Sequence, residues 1–299
     1  MNGWSMPPPV IDEAIRALAD DRTSGSSKLA RQALEVMDLA IAEAKGRPES
    51  TVLADIAHRV SEAQPAMSIV YNVAHLVAKL VSEGQDPKTV VEETTRELAS
   101  ARERIARTFL KVAAGLTAVV TLSDSENVLA TLRLAHGQGV VKQVHVMESR
   151  PRFEGRTLAA SLAEAGIPVT VVPDALGATL MADASCVVVG TDGILRDGAI
   201  VNKVGTYALA LAAADRKKPF YVVGETLKFD ARNDGASWPL PLQRDPHEVW
   251  DGAPERIHVM NQYFEVVPGR LVTTVVTERG AYSPEIIRTM LAQGRSSFS

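Results

Sequence analysis

Asp192 follows the glycine and threonine that close an apolar run, ASCVVVG, and Asn202-Lys203-Val204-Gly205-Thr206 then opens an alanine-rich stretch. A carboxylate at such a place can carry a proton. Lys203 beside a glycine and a helix start can hold an anion, because the first helical turn exposes unpaired N–H groups and a partial positive charge. Each residue also has a plainer use. Asp-Gly favours a turn on its own account, and Thr206 can simply cap the helix while Lys203 stays solvated.

The elements that must position these residues are legible from the pattern. Short β-branched runs (LTAVVTL, VKQVHVME, IPVTVVP, ASCVVVG, PFYVVG, then YFEVVP and LVTTVVT) alternate with helical segments at 127–135, 156–165, 176–182 and 206–213. Such alternation implies right-handed crossovers and a largely parallel sheet in a Rossmann-like α/β domain. Ligands in open parallel sheets sit beyond the carboxyl ends of the strands. That rule collects Ser123, Asp124 and Ser125; Glu148, Ser149 and Arg150; Asp174; Asp192; and Glu225 with Lys228 on one rim. No G-x-G-x-x-G follows the first strand, so a dinucleotide is not expected.

Before this domain the texture is helical, with stripes such as Ile11, Ile15, Leu18 and Leu34, Met37, Ile41, and breakers at Gly46-Arg47-Pro48 and 83–87. The reading is α/β: a helical N-terminal domain over 1–115, ending in a long helix over 87–113, then a Rossmann-like, mainly parallel-sheet domain over 116–299. A net charge of -4 and a pI near 5.9 argue against direct nucleic-acid binding. The N-terminus lacks a signal-peptide pattern and no long apolar run suits a membrane, so a cytoplasmic protein is expected. Cys186, the single cysteine, lies inside a strand and reads as core. The six histidines show no metal-ligand spacing, and neither metal nor cofactor is expected. Arg150, Arg152 and Arg156 read as surface, with Arg150 alone well placed for the rim.

GTDGILRDGAIVNKVGTYALALAA followed by KKPFYVVGETLKFD resembles the signature of the α, β and δ subunits of translation initiation factor 2B. Methylthioribose-1-phosphate isomerase and ribose-1,5-bisphosphate isomerase share it. The resemblance continues through MESRPRFEGRTLAASLAEAGIPVTVVPDAL and YFEVVPGRLVTTVVTERGAYSP, and more loosely through DDRTSGSSKLARQAL and AQPAMSIVYNVAHLV. It implies a helical domain with a Rossmann-like one, homodimers or higher homo-oligomers, and a phosphorylated sugar or nucleotide as ligand. It also implies conversion of a cyclic aldose 1-phosphate to an open ketose 1-phosphate, with Asp192 handling the oxygen proton. Asn202 and Lys203 match residues lining the same ligand pocket.

Two departures accompany it. The family's isomerases carry Thr-His-Cys-Asn after the first strand, where this chain has Thr121-Leu122-Ser123-Asp124. Ser123 thus stands at the position of the carbon-acting cysteine, and a hydroxyl is a much weaker acid than a thiol of pKa ~8.5. Ser24-Gly25-Ser26 replaces a phosphate-holding Arg-Gly-Ala step; Gly25 and Ser26 retain N–H and hydroxyl donors, and Arg22 is out of register. The expected site is therefore Asp192 and Ser123 for chemistry, with Asn202, Lys203, Arg150, Gly25, Ser26 and Glu225 for the ligand. The alternative is a non-catalytic, initiation-factor-2B-like subunit that binds the same class of ligand.

Overall fold

The computed structural model describes residues 8–21, 24–44, 48–239 and 243–293. Arg22, Gly46 and Arg47 lie outside the described residues. The chain forms two compact units that divide between Ser100 and Ala101. The first contains α1 (Pro9–Asp20), α2 (Ser26–Glu43), α3 (Glu49–Ala63), α4 (Ser68–Ser82) and the start of α5 (Pro87–Val112). Its stripes bury as their spacing predicts, with Ile11, Ile15 and Leu18 inward on α1 and Leu34 and Met37 inward on α2. The unit boundary thus falls inside α5, whereas the change from helices to strands, on which the division at 115/116 rests, comes between Val112 and Ala118.

The second unit is built on a seven-stranded sheet. Its strands are β1 (Ala118–Leu122), β2 (Gln143–Met147), β3 (Val169–Val172), β4 (Cys186–Val189), β7 (Phe220–Val223), β10 (Thr274–Thr277) and β11 (Gly280–Tyr282). The order is β11-β10-β7-β4-β1-β2-β3; every pair is parallel except β10 with the edge strand β11. Two cores lie on its faces. Val119, Val144, Val146, Cys186 and Val188 pack with the last turns of α5, α6 (Glu126–Gly137) and α7 (Glu154–Glu164). Val120, Leu122, Val187 and Val189 pack with α9 (Thr206–Asp215), α10 (Pro284–Ala292) and the short α8 (Gly177–Leu180). Phe109 of α5 meets Tyr221 of β7 edge to face at 5.5 Å.

A second sheet was not foreseen from the sequence. β5 (Gly193–Leu195), β6 (Ile200–Lys203), β8 (Phe229–Asp230) and β9 (Phe264–Val267) pair in the order β8-β5-β6-β9. Asn202 and Lys203 therefore lie on a strand. The run YFEVVP supplies their partner, pairing Asn202 with Glu265 and Lys203 with Phe264.

Parallel pairing leaves the carboxyl ends of β1, β2, β3, β4, β7 and β10 on one edge. The strand order reverses between β1 and β4, the place where crossovers leave on opposite faces and open a crevice. Close backbone approach then sets the rim. A Cβ added to Gly155, at the start of α7, would stand 1.9 Å from the Met147 carbonyl oxygen. Gly155→Ala must push α7 off the end of β2 and is expected to cost about 2–3 kcal/mol, measured as a lowered urea midpoint with an unchanged m-value.

Candidate functional site

At the end of β4 the chain turns from the main sheet into the second one. The Thr191 hydroxyl donates to the Gly193 and Val201 carbonyls at 2.7 and 2.9 Å, and the Asp192 N–H donates to Val201 at 2.8 Å. Asp192 is thereby fixed, half-buried, beside the switch point. Across the crevice, β1 runs into Ser123-Asp124-Ser125. Gly190 is needed here, since a Cβ on it would lie 2.6 Å from Ser125 Oγ. The Ser125 hydroxyl accepts from the Val128 N–H and starts α6.

The rim is strained where it bends. Ser123, Ser149 and Phe153 have φ of 64°, 66° and 60°, in the left-handed region that costs a non-glycine residue free energy. Hydrogen bonds hold two of them there: the Ser123 N–H donates to Ser149 Oγ at 2.7 Å, and the Ser149 N–H to Asp174 at 2.7 Å. Asp174 also accepts from the Arg150 N–H at 2.7 Å. Ser149 and Asp174 thus shape the backbone beneath the crevice. The Arg150 guanidinium donates to the Val249 carbonyl at 2.8 Å and lies 5.0 Å over the Phe153 ring, so the chain itself engages it.

Lys203 is 3% exposed, and its ammonium pairs with Glu154 Oε1 at 2.8 Å and stands 4.9 Å from the Tyr263 ring. A Cβ on Gly205 would lie 3.5 Å from Leu122 Cδ1, so this step sits against the end of β1. The Asn202 amide donates to Thr206 Oγ1 at 3.0 Å, and that hydroxyl donates back to the Lys203 carbonyl at 2.5 Å. The first turn of α9 already holds an anion from within the chain. Glu265 accepts from the Tyr207 N–H at 2.8 Å, and Gly205 and Thr206 N–H groups also point to it. Burial pushes the Glu265 carboxyl up while those N–H groups oppose the shift. Its only sequence signal was a glutamate set inside an otherwise apolar strand.

The Asp124 carboxyl, on the turn that follows β1, makes no hydrogen bond or ion pair among the described residues. Burial of the carboxyl pushes its pKa up, and the charges of Glu126 and Glu154 add to that, although the residue as a whole is exposed. Glu154 Oε2, the oxygen not on Lys203, is buried without a partner.

Glu225, expected to meet a ligand, is 4% exposed and closed into a cluster of its own. It accepts from the Asn127 amide at 2.9 Å and pairs with the Lys228 ammonium at 3.0 Å, Lys228 being 2% exposed. Burial would raise its pKa; the Lys228 charge and the hydrogen bonds win, and the carboxyl sits below the usual glutamate range. Cys186 is fully buried, its thiol pushed up to about 12 by that burial. Gly25 and Ser26 belong to the first unit, where the Gly25 carbonyl accepts from Lys28 and Leu29 and Ser26 begins α2 buried. Beside them the Ser24 N–H donates to Asp21 at 2.9 Å.

Residues 22–284 match the model of the initiation factor 2 subunit family. The chain belongs to this family. A ribose 1,5-bisphosphate isomerase from Archaeoglobus fulgidus is 29% identical over 94% of this chain and 92% of its own. A methylthioribose-1-phosphate isomerase from Chloroflexus aurantiacus is 38% identical over 56% of this chain and 51% of its own. The crystal structure of the translation initiation factor eIF-2B from Pyrococcus horikoshii OT3 superposes with a TM-score of 0.80 at 27% identity, covering 93% of this chain and 98% of that one. The family's Rossmann-like fold and its relation to both the isomerases and the initiation factor are thus established for this chain.

The Glu225 cluster has a measurable pH signature. A carboxyl whose pKa is lower folded than unfolded adds stability that is full above the unfolded value and is lost as pH falls through the folded one. Glu225→Gln is therefore expected to lower stability at pH 7 and to flatten its decline on the acid side, read from urea unfolding between pH 3 and 7.

Proposed function

We propose that the chain binds a phosphorylated pentose in the β1/β4 crevice and converts a cyclic aldose 1-phosphate to the open ketose 1-phosphate. The observation that carries this reading is the position of Asp192 just past the end of β4 at the topological switch point, where Gly190 lies against Ser125 of the turn after β1 and the Lys203–Gly205 step lies against the end of β1. The relatives named above support the substrate class.

The reaction breaks the bond between C1 and the ring oxygen, moves a proton from C2 to C1 and leaves a ketone at C2. The phosphate stays on C1 throughout, so no free aldehyde forms. Asp192 gives a proton to the ring oxygen as that bond breaks and takes one back from the 2-hydroxyl as the ketone forms. Lys203 and Asn202 orient the phosphorylated end, the ammonium exchanging part of its contact with Glu154 for the ligand. Positioned proton transfer contributes about 10²–10⁴-fold. Self-association as a homodimer or higher homo-oligomer in the cytoplasm belongs to the same proposal.

A second reading, binding without turnover in the manner of an initiation-factor subunit, is favoured by Ser123. Its Oγ has no activating partner among the described residues, and the thiol of the isomerases is missing. Incubation with a panel of aldose 1-phosphates and nucleoside monophosphates, followed by thermal shift and ketose detection, separates the readings. Product supports the enzyme; a shift without product supports the binding subunit; neither removes the crevice as a site.

Two substitutions sharpen the assignment. Asp192→Asn is expected to lower ketose formation by about 10²–10⁴-fold while the ligand still raises the melting temperature; unchanged turnover removes Asp192 from the mechanism. Lys203→Ala is expected to weaken the phosphorylated sugar about tenfold or more and spare its unphosphorylated counterpart, the worth of one charge-assisted contact. Equal losses for both ligands argue against an anion-binding role.

A further inference from the structure

Removing the thiol leaves the carbon half of the reaction without a group, and the turn that lost it supplies another. Asp124 directly follows Ser123 at the end of β1, one of the two strands at the switch point. Three features single out the carboxyl on this turn. The Ser123 backbone is held at φ 64° by its bond to Ser149, which fixes the direction in which the chain leaves the strand. Ser125 is locked on the other side as the cap of α6 and by contact with Gly190, so the turn cannot swing. Asp124 itself has no hydrogen bond or ion pair among the described residues, while its neighbours Glu126 and Glu154 are paired with Arg102 and Lys203.

We propose that Asp124 is the catalytic base at carbon, taking the proton from C2 and returning it to C1. This rests on the isomerase reading. The balance closes without any further reactant. As Asp192 protonates the ring oxygen and the C1–O bond breaks, Asp124 removes the C2 proton, and the C2–H electron pair forms the C1=C2 bond of an enol that still bears the phosphate on C1. Asp124, now neutral, gives that proton to C1, and Asp192 recovers a proton from the 2-hydroxyl as the C2 ketone forms. Both carboxyls end as they began.

The surroundings suit the task. The charges that act on Asp124 are those of Glu126 on α6 and Glu154 on α7, the latter paired with the Lys203 ammonium of β6. Partial burial and two negative neighbours make this carboxylate more basic than one in water, nearer the value at which a base works well at neutral pH. A serine hydroxyl gains no such basicity from the same surroundings.

The test uses the full chain and the aldose 1-phosphate that gives most product with the unaltered protein. Asp124→Asn is expected to lower ketose formation at least 100-fold with the ligand-induced thermal shift retained. Asp124→Glu is expected to recover part of that loss, since it keeps the carboxylate and moves it by one methylene. Turnover of Asp124→Asn within about threefold of the unaltered protein overturns the proposal. A lost thermal shift also overturns it, making Asp124 a binding group instead. If the unaltered protein gives no ketose from any member of the panel, the isomerase reading falls and this assignment with it; if Asp192→Asn is inactive and Asp124→Asn is not, only the assignment falls.

Discussion

Around Met147 two backbones come closer than a side chain would permit, and a third lies within ordinary contact. A Cβ on Gly155 would meet the Met147 carbonyl oxygen at 1.9 Å, one on Gly177 its Sδ at 2.7 Å, and one on Gly205 its Cε at 3.8 Å. The starts of α7, α8 and α9 are thus gathered at the end of β2, beside the end of β1. Glu154 and Lys203 meet beside it: one begins α7, the other ends β6, and 49 positions separate them in the chain.

The Lys203, Glu265 and Lys228 charges are met from within the chain. Lys203 has Glu154, the first turn of α9 has Glu265, and Lys228 has Glu225. Each pair offsets the desolvation that would otherwise make its members costly to bury. The phosphorylated ligand proposed for the crevice would exchange with these contacts, its own charge replacing the one displaced. Asp174 and Ser149 hold the strained turns by neutral and charge-assisted hydrogen bonds, so the rim keeps its shape independently of that exchange.

Family membership and the two departures from the isomerase pattern bear on different parts of the molecule. The fold and the β4 turn that carries Asp192 are retained. The thiol at Ser123 and the arginine of the N-terminal step are replaced, one touching proton transfer and the other the hold on phosphate. Replacement of the neutral fourth residue of that motif by an acid, Asp124, changes the charge of the same turn. On the assignment proposed for Asp124, the chemistry at carbon moves by one residue along a turn whose backbone is held by Ser149 and Ser125.

Periodicity alone determined the helical unit, the parallel strands and the rim at their carboxyl ends, because burial on one face of a helix or both faces of a strand writes itself into the spacing of apolar residues. Asp192 at the end of β4 was legible for the same reason. The second sheet was not: β5 and β6 are three and four residues long, and their partners come from 229–230 and 264–267, contacts that no local pattern encodes. The burial of Glu225 with Lys228, the Glu265 carboxylate on α9 and the engagement of Arg150 by Val249 were likewise decided by tertiary structure. A charged residue after a strand reads alike whether it faces a ligand or a partner from elsewhere in the chain. Only the folded chain, by bringing distant charges within hydrogen-bonding distance, tells the two apart.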